Sequence, residues 1–325
     1  MSDTSRGSAS GATDAPRGWR LWFAGARPRT LPAAVAPVLV GTAAAVGMGG
    51  DASGVAGLIW WRFCAALVVA VMVQVGTNFA NDYSDGKRGT DDPSKRSGPL
   101  RLVGSGLVEP HKVKRAAVVC FALTVLAGIP LVIVVDWRLA LVGAAAVAAG
   151  WFYTGGPRPY GYAGFGELFV FVFFGVVATV GSTYVQTAGG GGHRSFGELM
   201  PAVSWVAAVA MGSLATALLV VNNLRDIAGD AQVGKHTLAV RIGEARTRAL
   251  YVALLVVPVL CIPLLAAVGS SPVVALGLVS IVVARNSVLE VLGGARGAAL
   301  IPVLGRTGVV QITYAVALTI GLAVV

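Results

Sequence analysis

The 325-residue chain is 56% hydrophobic and only 12% charged, with a mean hydropathy of +0.77. Soluble domains average about 25% charged residues, so the composition excludes an ordinary soluble protein and predicts an integral membrane protein. The net charge of +10 does not indicate nucleic-acid binding, because the basic residues lie in short segments between apolar runs. Positive-inside topology and attraction to anionic lipid or substrate explain that pattern better.

Apolar runs long enough to cross a bilayer follow a polar N-terminal segment. Residues 1–20 are rich in Ser, Gly, Ala and Arg and are predicted to form a disordered tail, and residues 21–325 to form a single transmembrane domain. The predicted spans are residues 31–50, 58–80, 113–135, 139–156, 164–186, 199–222, 248–268, 272–292 and 307–325. The expected fold is therefore an all-α integral membrane protein built as a bundle of nine transmembrane helices.

The basic residues indicate how this bundle is oriented. With the N-terminus in the cytoplasm, all of the 25 Lys and Arg residues except Arg62, Arg138 and Arg194 fall on the cytoplasmic side. Positive charge collects on the inner side of membrane proteins. The sequence thus predicts a multi-pass protein of the cytoplasmic membrane, with its N-terminus inside the cell.

Acidic and amide side chains collect at the end of the second predicted span. Asn78, Asn81, Asp82 and Asp85 are spaced i, i+3, i+4 and i+7, which places them on one face of a helix, and Asp91 follows in the next loop. Clustered carboxylates repel one another unless a cation lies between them, and hard oxygen ligands suit Mg²⁺. We expect a magnesium site at this helix end.

A second copy of the pattern closes the sixth predicted span. Asn222, Asn223, Asp226 and Asp230 again share one helical face. Even-numbered spans end on the same side, so both clusters are expected at one cavity that faces the cytoplasm. The predicted metal ligands are Asn81, Asp82, Asp85, Asp91, Asn222, Asp226 and Asp230.

Two metal-binding clusters with basic neighbours suit a substrate diphosphate, whose charge must be neutralised as it leaves. If that diphosphate carries a long hydrocarbon, ionisation leaves an allylic cation that needs a water-poor pocket and can be stabilised by aromatic faces. The predicted catalytic residues are Asp82, Asp85, Asp226, Asp230 and Lys87. The predicted substrate-binding residues include Asn78, Asn81, Arg88, Tyr153, Arg158, Tyr160, Arg225 and Lys235, with Tyr162 and Phe79 as further aromatic candidates.

The two Asn/Asp motifs on even-numbered helices of a nine-span bundle resemble the UbiA-type superfamily of intramembrane aromatic prenyltransferases. Several stretches are most similar to its 1,4-dihydroxy-2-naphthoate polyprenyltransferase branch, which serves menaquinone biosynthesis. These stretches are residues 26–32, 76–83, 98–101, 153–157 with 164–167, and 222–226 with 234–241. The resemblance covers nearly the whole chain after residue 20.

The resemblance implies a specific reaction. A polyprenyl diphosphate would ionise with the help of Mg²⁺, the ring carbon that bears the carboxylate of dihydroxynaphthoate would attack, and CO₂ and a proton would leave. The product would be demethylmenaquinol, released into the lipid bilayer. Arg27 and Arg29 are then candidates to bind the aromatic carboxylate.

Other interpretations of the same residues stay open at this stage. The acceptor could instead be 4-hydroxybenzoate, homogentisate, haem or a sugar phosphate, and a secondary transporter could use membrane acids as an ion site. Lys87, Arg88 and Lys235 could serve only to set topology. Glu167 could be an acid that the helix dipole favours at a helix start.

Overall fold

The protein is all-helical over the residues that the computed structural model describes, which are 18–47, 57–90, 101–188, 195–269 and 271–323. The α-helices are α1 (Trp19–Ala26), α2 (Pro32–Val46), α3 (Trp60–Arg88), α4 (Pro110–Val134), α5 (Leu139–Phe152), α6 (Gly166–Val170), α7 (Ala178–Thr187), α8 (Phe196–Leu199), α9 (Ala202–Gln232), α10 (Leu238–Gly269), α11 (Val279–Leu292) and α12 (Leu300–Ala323). Helix α1 begins at Trp19, inside the expected tail of residues 1–20, whose first 17 residues lie outside the described part.

Seven of the described helical segments are long and apolar enough to cross a membrane. The segments Trp19–Thr30 and Pro32–Val46 pass the same test together, although the chain bends by 55° between them, and counting them as one span gives eight. Helix α5, within the predicted span 139–156, has only 14 residues and falls below spanning length. The chain is an integral membrane protein of seven or eight such spans within its described residues.

Helix α9 lies at the centre of the bundle. In its most apolar window, 78% of the residues are buried inside the protein, whereas the corresponding share for α4 or α10 is 28%. Small residues line much of α9, and this allows neighbouring helices to approach closely. Gly212 of α9 packs against Gly175, where an added Cβ would lie 2.5 Å from the Gly212 Cα. Helix α9, which carries the second acidic motif, is therefore surrounded by other parts of the protein along most of its apolar length.

The two acidic motifs lie in the last turns of helices longer than the apolar pattern predicts. Helix α3 continues past residue 80 to Arg88, where Gly89 ends it in a left-handed conformation with φ 73°. Helix α9 continues past residue 222 to Gln232, and Gly234 turns the chain with φ 71°. Glycine is favoured at such C-terminal caps because it lacks a Cβ. Both motifs are thus presented on regular helical backbone.

A π-helical segment, Phe171–Val177, connects α6 to α7 within one continuous span, Gly166–Thr187. π-Helical turns are wider than α-helical turns and occur often at functional sites. Phe173 and Phe174 of this segment both line the central cavity. The segment thus supplies adjacent aromatic side chains to the same wall.

Gly41 on α2 provides a test of this close packing. An alanine Cβ at Gly41 would lie 2.1 Å from the carbonyl oxygen of Thr179 on α7. We expect Gly41→Ala to lower the thermal unfolding midpoint in detergent, because overpacking costs about 1–3 kcal/mol. Gly181→Ala is the matched control, since nothing lies within 4 Å of an added Cβ there. Equal midpoints for the two variants would contradict the packing of α2 against α7.

Candidate active site

Lys235 joins the two acidic motifs at the polar end of the bundle. Its Nζ lies 3.9 Å from Oδ2 of Asp85 on α3 and 3.9 Å from Oδ1 of Asp230 on α9. The turn after α9 brings Lys235 back over the last helical turn, since its N–H donates to the Asp230 carbonyl oxygen at 2.9 Å. The two motifs, 141 residues apart at Asp85 and Asp226, meet in space, and a cation lies between their carboxylates.

Tyr162 lies near two cations and donates to Asp85. Its hydroxyl lies 2.9 Å from Oδ1 of Asp85. Lys235 Nζ is 5.2 Å from the centroid of its ring, and Arg88 Cζ is 5.3 Å from it. Burial, together with the negative charge of Asp85, raises the pKa of Tyr162, so the hydroxyl stays protonated and remains a donor at neutral pH. Tyr162 therefore fixes the orientation of the Asp85 carboxylate.

The loop after α5 is tied to the first motif by side chains of α3. Thr154 Oγ1 donates to Oδ1 of Asn81 at 2.8 Å. The Arg88 guanidinium donates to the carbonyl oxygens of Thr154 and Gly156. The segment predicted to bind substrate is thus anchored directly beside Asn81.

Asn78 and Gln74 tie the N-terminal part of the bundle to α3. Asn78 Nδ2 donates to the carbonyl oxygen of Ala26 at 2.9 Å and to Thr30 Oγ1 at 3.1 Å. Gln74 Nε2 also donates to Thr30 Oγ1, at 2.9 Å. Arg27 lies in this segment and has φ 54°, the one positive φ of a non-glycine residue in the described part of the chain. These bonds place Arg27 at the wall of the cavity.

On α9, Arg225 and Asp226 form a bidentate ion pair. Arg225 Nε lies 2.8 Å from Oδ1 of Asp226, and Nη2 lies 2.5 Å from Oδ2. The Arg225 side chain is buried and lines the cavity. Paired donors of this kind are strong because both partners are charged. Asp226 thereby holds the guanidinium in place at the cavity.

Glu167 and Asn223 form a buried pair beside Tyr153. Asn223 Nδ2 donates to Oε1 of Glu167 at 2.9 Å, and both residues are buried. The Tyr153 side chain lines the cavity beside this pair.

One cavity of about 1360 Å³ connects this polar end to the apolar interior. Its polar end includes Asp85, Arg225 and Lys235, and its apolar part extends between α3, α4, α5 and α7 as far as Ala66 and Ile133. Asp85 and Ala66 are separated along α3 by about 28 Å at 1.5 Å per residue. Aromatic rings line part of the wall: Tyr160 stacks on Phe169 with centroids 4.0 Å apart. The cavity can hold a long hydrocarbon with a charged head.

The structure brings most of the predicted site residues to this cavity. The predicted residues that line it are Arg27, Arg29, Asn78, Asn81, Asp85, Tyr153, Tyr160, Asn222, Arg225 and Lys235. Among the other described residues of the prediction, Asp82, Lys87, Arg88, Arg158, Asp226 and Asp230 are absent from the cavity wall. Asp226 and Asp230 nevertheless pair with wall residues, whereas Lys87 and Arg158 are exposed. Asp91 lies outside the described residues.

Asp82 has a different environment from Asp85, although the sequence places both in one cluster. Asp82 is fully buried, and its carboxylate accepts the backbone N–H groups of Leu102 at 2.8 Å and Val103 at 3.0 Å. Its oxygens bind backbone donors, and Asp82 itself is absent from the cavity wall. The predicted metal role of Asp82 stays a prediction from sequence.

The structure adds cavity and supporting residues that the sequence did not single out as a site. Arg101 is buried and lines the cavity, and Thr154 and Asn223 hold neighbouring side chains. Arg101 lies in the stretch 98–101, and the resemblance of this stretch to the naphthoate branch is the sequence feature that could have indicated it. The contacts of Tyr162 and Glu167 depend on the turn between α5 and α6, which local periodicity does not describe.

The donor set at the polar end is suited to Mg²⁺. No group of three or more His, Cys, Asp and Glu side chains is placed to hold a metal within the described residues. Mg²⁺ usually binds one or two protein carboxylates together with substrate phosphates, so such a group is not required. The Lys235 ammonium between Asp85 and Asp230 shows that this position attracts positive charge. The oxygen ligands of the two motifs fit the ion.

Comparison with known proteins identifies the class of enzyme. Residues 34–293 match the UbiA prenyltransferase family. The chain therefore belongs to that family and is a prenyltransferase. It is 47% identical over 306 residues to the 1,4-dihydroxy-2-naphthoate octaprenyltransferase of Mycobacterium tuberculosis, covering 93% of this chain and 96% of that protein. Its identity to the Escherichia coli protein of the same name is 40% over 258 residues, covering 75% of this chain and 76% of the other.

Solved structures share the fold. A UbiA homologue from Archaeoglobus fulgidus bound to DMAPP and Mg²⁺ has a TM-score of 0.56 at 14% identity, covering 94% of this chain and 99% of that one. The apo UbiA homologue from Aeropyrum pernix has a TM-score of 0.61 at 14% identity, covering 90% of this chain and 97% of that one. The family match over residues 34–293 and the relatives of 40–47% identity, rather than these structures, confirm the resemblance to the UbiA superfamily and contradict the transporter interpretation.

Tyr162→Phe tests the bond between the turn and the first motif. The variant removes the hydroxyl that donates to Asp85 and keeps the ring near Lys235 and Arg88. We expect kcat/KM for prenyl transfer to fall about tenfold, the cost of losing a hydrogen bond to a charged group. The matched control is Tyr184→Phe, which removes a hydroxyl bonded to Asp136 at 2.5 Å, outside the polar end. An equal loss in the control, or none in Tyr162→Phe, would contradict the assigned role.

Proposed function

We propose that this prenyltransferase transfers a polyprenyl group from polyprenyl diphosphate to 1,4-dihydroxy-2-naphthoate, with loss of CO₂, to give demethylmenaquinol. The observation that carries the proposal is a single cavity with a charged polar end and a long apolar arm, in a chain whose relatives of that name match over most of their length. The substrates are then a polyprenyl diphosphate and an aromatic acceptor, and the product is a precursor of menaquinone.

In this proposal the polar end binds the diphosphate. Asn81, Asp85, Asn222, Asp226 and Asp230 would hold Mg²⁺, which when bound neutralises charge on the diphosphate oxygens. Arg225 and Lys235 line the cavity beside those carboxylates and would bind the leaving group. Arg88 lies near the Tyr162 ring, and Lys87 and Arg158 are exposed. The charge of these three residues would attract the anionic substrate.

The apolar arm would hold the prenyl chain and keep water away from the reacting carbon. The bond between C1 of the prenyl group and the diphosphate oxygen breaks, and its electron pair leaves with the diphosphate. The neutral aromatic faces of Tyr153 and Tyr160, both at the cavity wall, would stabilise the allylic cation. An apolar wall prevents its capture by water.

The acceptor would then attack C1 through the ring carbon that bears its carboxyl group. As the new carbon–carbon bond forms, the bond between the ring and the carboxylate carbon breaks, CO₂ leaves, and the electrons of the broken bond restore the aromatic ring. Arg27 and Arg29, at the cavity wall on the N-terminal segment, would orient the carboxylate. Asn78 supports this segment through its bonds to Ala26 and Thr30.

The arrangement in the membrane is part of the proposal. We place the polar end of the cavity and the N-terminus on the cytoplasmic side of the cell membrane, in a single domain over residues 21–325. The bent segment before Val46 and the short helix α5 would raise the number of spans to nine. The excess of Lys and Arg at the polar ends of the helices supports this orientation.

An assay of the purified protein in detergent tests the reaction. With geranylgeranyl diphosphate and Mg²⁺, we expect prenylated product and CO₂ from 1,4-dihydroxy-2-naphthoate and none from 4-hydroxybenzoate. EDTA should abolish turnover, and Asp85→Asn should lower it about a hundredfold, because a charged ligand is lost. Asp136→Asn, outside the cavity, is the control. Product from 4-hydroxybenzoate alone would overturn the acceptor and keep the enzyme class.

Cysteine labelling tests the orientation. In a background without Cys64, Cys120 and Cys261, we expect His236→Cys to react with a membrane-impermeant maleimide in inside-out vesicles only. Arg138→Cys, at the opposite end of the bundle, should react in intact cells. Both His236 and Arg138 are exposed, so accessibility within the protein does not limit the reaction. The reverse pattern would place the polar end outside the cell.

A further inference from the structure

Asp82 makes contacts unlike those of the acids around it. It lies three residues before Asp85, about 60° away around the helix axis. Asp85 faces the cavity and Tyr162, whereas Asp82 is fully buried and accepts the N–H groups of Leu102 and Val103 at 2.8 and 3.0 Å, one on each oxygen. Carboxylate bonds to backbone N–H groups are charge-assisted and strong. The carboxylate therefore acts as a clamp on a chain segment.

The clamped segment fits tightly between α1 and α3. Leu102 is fully buried, and a Cβ on Gly25 of α1 would lie 2.6 Å from its Cδ1. A Cβ on Gly86 of α3 would lie 2.4 Å from Cγ1 of Val103. The carbonyl oxygen of Leu102 in turn accepts the N–H groups of Leu107 and Val108 at 3.1 and 3.0 Å. The segment is a compact turn that packs against Gly25 and Gly86.

Arg101 directly precedes the two clamped N–H groups. Its side chain is only 7% exposed, and it lines the same cavity as Arg225 and Lys235. A buried guanidinium at a cavity wall can donate to an anionic group that enters the cavity. Fixing the backbone at residues 102 and 103 fixes the Cα from which the Arg101 side chain reaches the cavity.

From this geometry we infer that Asp82 is a positioning residue that clamps residues 102 and 103, and that Arg101, so positioned, binds an anionic group of the substrate. The inference rests on the proposed function for the identity of that group, which is either the diphosphate or the carboxylate of the acceptor. Asp82 does not line the cavity, and its two oxygens hold the turn, whereas Asp85 lines the cavity. The two acids of the first motif therefore have different roles.

The first test is hydrogen–deuterium exchange of the full chain in detergent, followed by mass spectrometry of peptides that cover residues 101–108. In the wild type, the amides of Leu102 and Val103 should be protected. Asp82→Asn replaces one acceptor oxygen with an N–H donor, so exchange at these amides should rise at least about tenfold. Asp85→Asn and Asp136→Asn should leave it unchanged. Asp136 is a matched control, because its carboxylate also accepts a backbone N–H, that of Arg138 at 2.8 Å.

The second test separates positioning from metal binding. We expect Arg101→Gln to weaken binding of a non-reactive prenyl thiodiphosphate, or to raise the KM of the naphthoate, about tenfold, and Arg101→Lys to restore part of it. Asp82→Asn should cause the same loss, and the double variant should be no weaker than Arg101→Gln alone. The half-saturating Mg²⁺ concentration should rise in Asp85→Asn and stay within about twofold of the wild type in Asp82→Asn.

Several results would overturn the inference. Rapid exchange at Leu102 and Val103 in the wild type would do so without any variant, even if Asp82→Asn does not fold. So would a raised Mg²⁺ requirement in Asp82→Asn with normal exchange, or an Arg101→Gln variant that binds both substrates normally. A wild-type protein that prenylates no aromatic acceptor would instead overturn the proposed function, and the exchange experiment would still decide whether Asp82 is a clamp.

Discussion

The polar end of the bundle depends on an ammonium group held between two carboxylates. Lys235 lies between Asp85 and Asp230, at the ends of the two long helices α3 and α9. Without a cation there, the acids of both motifs would repel each other in a partly buried place. The same need to stabilise negative charge explains the position of nearby groups: Tyr162 donates to Asp85, and Arg225 pairs with Asp226. In the proposed function, this end of the bundle would bind a metal ion and the diphosphate of the substrate.

Much of this arrangement is predictable from the sequence, because it follows from helical periodicity. The i, i+3, i+4, i+7 spacing correctly places Asn78, Asn81 and Asp85 at one cavity, and the second motif meets the first as its recurrence indicates. The spans predicted from apolar runs largely coincide with helices of the structure. The spans predicted from hydropathy end earlier than α3 and α9, however, because the last turns of these helices are polar while their backbone hydrogen bonding continues.

What the sequence does not reveal depends on contacts between distant segments. Asp82 shares a helical face with Asp85, yet a turn twenty residues away occupies its oxygens. Periodicity describes which side of a helix a residue lies on and says nothing about the neighbour it meets there. The contacts of Tyr162 with Arg88 and Lys235 likewise require three segments to come together. The doubled acidic pattern therefore indicates where the candidate site lies, whereas the contacts of its members depend on tertiary structure.

The π-helical segment Phe171–Val177 affects the orientation of the helix that follows it. The extra residue in a wide turn rotates everything after it by about 100° relative to an uninterrupted α-helix. Here that rotation directs Gly181, Ser182 and Val185 of α7 toward the cavity. Loss of a single residue from the segment would restore a regular helix and turn those residues away from the cavity. The number of residues in this segment therefore helps to determine which part of α7 forms the cavity wall.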